Sequence, residues 1–169
     1  MAFSVNDFRS KVRDLAKNYM FEVEIVFPVA IGSSDLVNIL AQSTSIPGRT
    51  AEAIDAPFMS QQYKLAGGIT YDPWTVTFRV DDNYDIYKKF RAWSELIKGT
   101  ESNIAAFPAQ YKARPAIFQL DNSGNRLNKI TLIGAWPSVV AEIAVDTTTS
   151  DIQNFDVTFE MDSNIFSVE

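Results

Sequence analysis

The chain has neither cysteine nor histidine among its 169 residues. Without cysteine there are no disulfides, thiol nucleophiles or thiolate metal sites. Without histidine the commonest general base, proton shuttle and zinc ligand is gone. A catalyst would have to run on carboxylates or lysine, so the expectation is a non-enzyme that needs no cofactor and no metal. No glycine loop cradles phosphate: Gly67-Gly68 and Gly124 stand apart, and turns explain them. No Gly-x-Ser-x-Gly elbow occurs, and a Ser–His dyad is impossible. Long apolar runs are missing too. None approaches the roughly 20 residues that span a bilayer. Charges at Asp7, Arg9, Lys11, Arg13, Asp14 and Lys17 leave no apolar core for a signal peptide. The reading is a soluble protein made in a cytoplasm, with no membrane partner. Basic charge is short as well, 15 Lys and Arg against 21 Asp and Glu, net -6. Phosphate neutralisation supplies most non-specific nucleic-acid affinity, so a nucleic-acid binder is disfavoured.

Alternation is what the chain does have. Between Arg126 and Asp162 it reads as three strands. Ile130, Leu132, Gly134 and Trp136 share one parity. Val139, Ala141, Ile143 and Val145 share the next. Phe155, Val157, Phe159 and Met161 share the last, against Asn154, Asp156, Thr158, Glu160 and Asp162. Side chains alternate across a strand, so each segment has one apolar and one wet face. Earlier strands are expected at Tyr19–Phe27, Asp35–Thr44, Trp74–Asp81 and Pro115–Leu120. Between Ile46 and Asp72 the residues form a long hairpin with arms at 51–58 and 61–66, ended by Gly67-Gly68. It is thinly apolar, with Ile54, Phe58, Met59, Tyr63 and Leu65 spread along it. A two-stranded ribbon of that kind is marginal in water alone; either it folds back on the core or another subunit holds it.

Two helices are expected. Residues 82–98 place Ile86, Tyr87, Phe90, Trp93, Leu96 and Ile97 on one stripe, with Asp82 or Asn83 as cap and Gly99 as a left-handed stop. Residues 4–17 form a short amphipathic N-terminal helix within an arm at 1–18. The fold class is mainly β with one flanking helix (α+β). Two antiparallel sheets pack as a small sandwich or open barrel in a single domain over 1–169, with the long hairpin and the N-terminal helix added. Asp81, Asp82 and Asp85 cap a helix better than they hold calcium, since they lack the alternating ligands of a calcium loop. Paired carboxylates serve glycosidases, but Glu22 with Glu24 and Asp156 with Glu160 lie on open strand faces.

Leu65-Ala66-Gly67-Gly68 running into Tyr71-Asp72-Pro73-Trp74-Thr75-Val76-Thr77-Phe78, followed downstream by Gly134-Ala135-Trp136-Pro137, resembles the tail tube proteins of contractile-tailed bacteriophages. Leu65-Ala66-Gly67-Gly68-Ile69-Thr70-Tyr71-Asp72-Pro73-Trp74-Thr75-Val76-Thr77-Phe78 is similar to their hairpin end and following strand, with Gly67, Tyr71, Asp72 and Trp74 as motif residues. Phe21-Glu22-Val23-Glu24-Ile25, Ile46-Pro47-Gly48, Lys89-Phe90-Arg91-Ala92-Trp93 and the Gly134-Ala135-Trp136-Pro137 corner fall in the family's order. The resemblance implies a structural subunit of the virion, assembled in the host cytoplasm. Six copies close a ring, and rings stack into a hollow tube. The tape-measure protein and DNA pass through without specific binding. Sheath protein, baseplate hub and tail terminator are the implied neighbours. On this reading Glu22, Glu24, Asp156 and Glu160 face an acidic lumen that repels phosphate. Glu52, Ile54, Phe58, Met59, Tyr63 and Leu65 then belong to a ring-stacking hairpin. A proline-free strand at Phe155–Met161 needs a partner along its edge, which ring closure supplies. Nearby alternatives are a baseplate-hub or terminator ring protein, or the inner tube of a non-phage contractile injection system. A carbohydrate- or small-ligand-binding β-sandwich is the alternative of another class.

Overall fold

Alternating apolar residues need a facing layer, and each main sheet supplies it for the other. In the computed structural model, which describes residues 5, 15–148 and 150–168 with the backbone alone at Phe58, the first sheet contains β1 (Phe21–Glu24), β6 (Ala116–Leu120), β7 (Arg126–Ile133) and β10 (Ser163–Val168), in the order β1-β6-β7-β10. The second contains β2 (Ala41–Thr44), β5 (Trp74–Arg79), β9 (Asn154–Glu160) and β8 (Trp136–Val140), in the order β2-β5-β9-β8. Both are antiparallel throughout. A third, two-stranded sheet pairs β3 (Arg49–Phe58) with β4 (Gln61–Tyr71).

The core follows the parity. Trp74, Val76 and Phe78 of β5 and Phe155, Val157 and Phe159 of β9 point inward and are buried. Val23, Ile117, Ile130 and Leu132 answer from the first sheet. Helix α2 (Asp85–Ile97), which follows the short α1 (Leu36–Leu40), adds Ile86, Phe90 and Trp93. The Phe90 ring lies 5.1 Å from Phe78, 5.3 Å from Phe27 and 6.0 Å from Phe155, tilted or edge-on in each case. Such contacts add about 0.5–1.5 kcal/mol per pair beyond burial. Trp74 is fully buried, and its Nε1 donates to Thr44 Oγ1 at 2.7 Å, so its one polar atom is satisfied.

Several expectations are corrected. Residues 35–44 are not one strand. Val37 is buried and Leu40 and Ala41 pack against the core, a helical spacing, so α1 forms first and β2 begins only at Ala41. The Asn38 carboxamide accepts from Ile25 N at 3.1 Å where the β1 ladder has stopped at Glu24. β7 does not run through to Trp136, because Gly134 takes φ +66° and turns the chain into β8. β8 in turn ends at Val140, leaving Glu142 and Asp146 on a loop. A strand the sequence did not suggest, β10, fills the first sheet's margin at 163–168. A short helix, α3 (Pro108–Tyr111), interrupts the loop that precedes β6. Helix α2 is capped by Asp81 rather than Asp82 or Asn83: its carboxylate accepts from Asp85 N at 2.9 Å and Ile86 N at 3.2 Å. Gly99 does not adopt a left-handed φ. The N-terminal helix over 4–17 lies, apart from Val5 and 15–17, outside the described residues.

The strand at Phe155–Met161 is not an edge. β9 lies between β5 and β8 with both ladders made. Among the described residues the margins of the first sheet are β1 and β10, and those of the second are β2 and β8.

Candidate functional site

Three surfaces stand out, and none is an enclosed catalytic pocket. The first is the ribbon β3–β4. Its register puts Ile54 opposite Leu65 and Ala56 opposite Tyr63, so these share one face. Asp55 and Lys64 share the other, 3.8 Å apart. Ile54, Tyr63 and Leu65 are all exposed, and Met59 at the tip is 94 % exposed in a left-handed turn. The chain does not fold the ribbon back on the core. Alternation places Glu52 on the Ile54 face; for Phe58 only its backbone pairing with Gln61 is described. Gly67-Gly68 does not end the arm. The register slips by one residue between Ala51 and Ala53, opposite these glycines, and the strand continues to Tyr71. A Cβ on Gly67 would meet Ile54 Cγ1 at 3.0 Å and Glu52 O at 3.2 Å. A bulge held that close admits no side chain without movement. The root is closed by Asp72 N donating to Gly48 O at 3.2 Å, with Tyr71 paired to Arg49.

The second surface is the outward face of the second sheet. Thr77 Oγ1 donates to Asp156 Oδ1 at 2.7 Å, Thr75 and Thr158 hydroxyls meet at 3.1 Å, and Glu160 follows two residues on. It is a band of hydroxyls and carboxylates with Arg79 at one end.

The third is the outward face of the first sheet, and it differs. Glu22 accepts twice from Arg126, at Nε 3.0 Å and Nη2 2.9 Å. The Arg126 guanidinium lies 3.8 Å above the ring of Phe118, which is fully buried, and Lys129 Nζ lies 5.2 Å from the same ring. Glu22 and Glu24 flank inward Val23, whereas Asp156 and Glu160 flank inward Phe155, Val157 and Phe159. The four acids therefore divide between opposite outer faces of the sandwich and are not brought together. The sequence signal that finds Arg126 as the partner of Glu22 is absent, since 104 positions separate them.

The Gly134-Ala135-Trp136-Pro137 corner has a physical basis. Gly134 carries φ +66°, and a Cβ there would lie 2.1 Å from Asp162 Oδ2. That carboxylate is held by Lys112 Nζ at 2.7 Å to both oxygens. Pro137 opens a bulge on margin strand β8, where its missing N–H is tolerated. Trp136 is half-buried against Tyr111, their ring centroids 6.1 Å apart and edge-on.

Comparison with known proteins agrees with this geometry. The family model described as phage tail tube protein matches residues 16–167. This chain belongs to the phage tail tube protein family. The tail tube protein gp19 of Enterobacteria phage T4 is 31 % identical over 152 residues, covering 88 % of this chain and 90 % of that protein. The tail tube protein of Serratia phage KSP90 is 28 % identical over 155 residues, covering 88 % of each. Among solved structures, a chain of the anti-feeding prophage baseplate superposes with a TM-score of 0.73 at 15 % identity, covering 92 % of this chain and 97 % of that one. A chain of the sheath-tube complex of an extracellular contractile injection system gives 0.66 at 18 % identity, covering 99 % and 100 %. These last two bear on the fold alone. The tail tube family is structural, and its motif residues here do structural work: Gly67 makes the ribbon's bulge, Asp72 closes its root, Trp74 fills the core and Gly134 turns the corner. Among the described residues no group of three or more acids is placed to hold a metal, and no helix is long and apolar enough to cross a membrane.

Proposed function

We propose that six copies of this tail tube subunit close a ring and that rings stack into a hollow tube through which DNA leaves the virion. The observation that carries the stacking is the ribbon. About 33 Å of two-stranded sheet, at ten residues in β3, leaves the sandwich with its apolar face bare. An isolated hairpin of that sort needs a partner to be ordered, and a neighbouring ring provides one. Removing residues 52–63 should leave a folded subunit, by circular dichroism and thermal melting, that forms no tubes by negative-stain microscopy. Tubes of normal length from the shortened chain would refute the assignment.

Ring closure uses the open margins. β2 and β8 lie on opposite flanks of the second sheet, so β8 of one copy pairing with β2 of the next continues that sheet around the axis. Its outward face then becomes the lumen wall. The charge pattern favours this face over the other. Asp156 and Glu160 sit among hydroxyls, while Glu22 on the opposite face is neutralised by Arg126 beside Lys129. The first face repels a polyanion, whereas on the second the acids are offset by Arg126 and Lys129. The lumen acids are accordingly Asp156 and Glu160, and Glu22 and Glu24 belong to the outer wall. Asp156→Lys with Glu160→Lys should leave tubes intact and slow DNA release from particles severalfold; unchanged release kinetics would overturn the assignment. The family's sheath, baseplate and terminator contacts fall on the remaining outer surface.

A further inference from the structure

Two side chains of β6 are buried on the outer side of their sheet. Val23, Ile117, Ile130 and Leu132 point inward, so Phe118 and Ala116 point outward. Phe118 is nonetheless fully buried and Ala116 is only 3 % exposed, and neither belongs to the core that the two sheets share. Arg126 and Lys129 stand over the Phe118 ring, but the Arg126 side chain is itself 40 % exposed. Long charged chains lie along an apolar surface while their heads stay in water. A ring and a methyl group sealed two residues apart need a continuous apolar cover as well.

The chain reaches this face from its N-terminal side. Met20 N donates to Lys17 O at 3.1 Å, a turn that doubles the chain back just before β1. Leu120 N donates to Met20 O at 3.0 Å and fixes that turn to the end of β6. Leu15 then lines a hollow with Leu120, Leu127 and Asn128. Leu120 is two residues along β6 from Phe118, a span of about 6.6 Å. The residues before Leu15 continue a stripe of Val5, Phe8 and Val12 at helical spacing. At about 1.5 Å per helical residue, Val12 comes about 4.5 Å and Phe8 about 10.5 Å beyond Leu15, to either side of that span. Val5 and Leu15, at the two ends of the stripe, are exposed, which leaves its middle for the contact.

We infer that the chain's own N-terminal segment, residues 5–14, lies across the outward face of the first sheet and seals Phe118 and Ala116 with Phe8 and Val12. The occupant belongs to the same chain because the turn at Lys17–Met20 delivers it there, and so short a tether keeps it at high local concentration. The sandwich thereby gains a third layer outside its first sheet. The inference concerns one subunit and stands apart from the ring reading, yet it bears on it. A sheet covered by its own arm cannot line a passage, which leaves that role to the second sheet.

The absence of native cysteine makes the test clean. Ala116→Cys in the full chain is treated with a water-soluble maleimide. Ala135→Cys, at a fully buried core position, is the control for the body of the fold. Adding Phe8→Asp and Val12→Asp should speed labelling at position 116 at least tenfold and leave labelling at position 135 unchanged. Separately, Val12→Cys with Lys129→Cys is treated at high dilution with a short bismaleimide. The expected product is an internally linked single chain, identified by its mass and its mobility on a denaturing gel. Equal labelling at position 116 with and without the two aspartate substitutions overturns the inference, because the face is then sealed without the segment. Covalent dimers in place of the internal link overturn it too, since the segment then serves a second copy, and so does the absence of any link. If labelling rises at position 135 as well, the body has opened and the cross-link alone decides.

Discussion

Replacing Gly134 by alanine tests the corner on which both sheets turn. Two costs add. The first is conformational: φ is +66°, and an L-residue in that region costs about 1–2 kcal/mol. The second is steric. The new Cβ would stand 2.1 Å from Asp162 Oδ2 and 2.7 Å from Asp162 Cγ, so the carboxylate must swing away and release Lys112. With the Lys112 side chain 28 % and the Asp162 side chain 57 % exposed, that ion pair is worth no more than about 1 kcal/mol after solvent screening. The total is about 2–3 kcal/mol, which for a chain of this length lowers the melting temperature by roughly 5–10 °C. A double-mutant cycle separates the parts. In an Asp162→Ala background the steric cost is gone, and Gly134→Ala should cost about 1 kcal/mol less than it does in the parent. Denaturant melts of the four proteins give the coupling. If Gly134→Ala costs the same with and without the carboxylate, the close approach of Asp162 is not what forbids a side chain at the corner.

Two further outcomes follow from the core and the helix cap. Phe90→Ala removes a fully buried ring that touches both β5 and β9, and should cost about 3–5 kcal/mol in chemical denaturation; a loss under 1 kcal/mol would mean the helix is not seated in the sandwich. Partial burial pushes the Asp81 carboxyl up, but the backbone N–H groups of Asp85 and Ile86, helped by its own N–H and by Lys88, outweigh this and hold it below its ordinary value. A depressed carboxyl contributes stability above its unfolded-state value, and that contribution is lost as pH falls through the lower, folded one. Asp81→Ala should therefore cost about 1 kcal/mol at neutral pH and progressively less toward pH 2; a gap between variant and parent that does not change with pH would sink the capping role.

Parity was legible because it is local. Phe155, Val157 and Phe159, and Trp74, Val76 and Phe78, declare an inward face by spacing alone, and they are the buried face of the second sheet. Helix α2 was equally plain, since Ile86, Phe90 and Trp93 fall on one stripe wherever the helix is placed. The missing cysteine and histidine narrowed the chemistry before any contact was known. The family motifs named the tail tube family, and the matched residues agree.

What spacing cannot carry is the identity of a neighbour. An alternating strand reads the same at a margin or in the middle, so only the ladders reveal that β9 is enclosed by β5 and β8. Polar parity says that Glu22 and Asp156 both avoid the core, but a sandwich has two outsides. Which outside each takes depends on sheet membership, as does the pairing of Glu22 with Arg126 across the chain. The run Leu36-Val37-Asn38-Ile39-Leu40 is short enough to satisfy either period, and burial of Val37 decided for a helix. Phe166 is the extreme case: its composition says core and its position in the sheet leaves it bare. Sequence determined which side of each strand is apolar, because that is set by bonds between adjacent residues; tertiary structure alone decided which apolar side goes uncovered, because cover is supplied by residues far away.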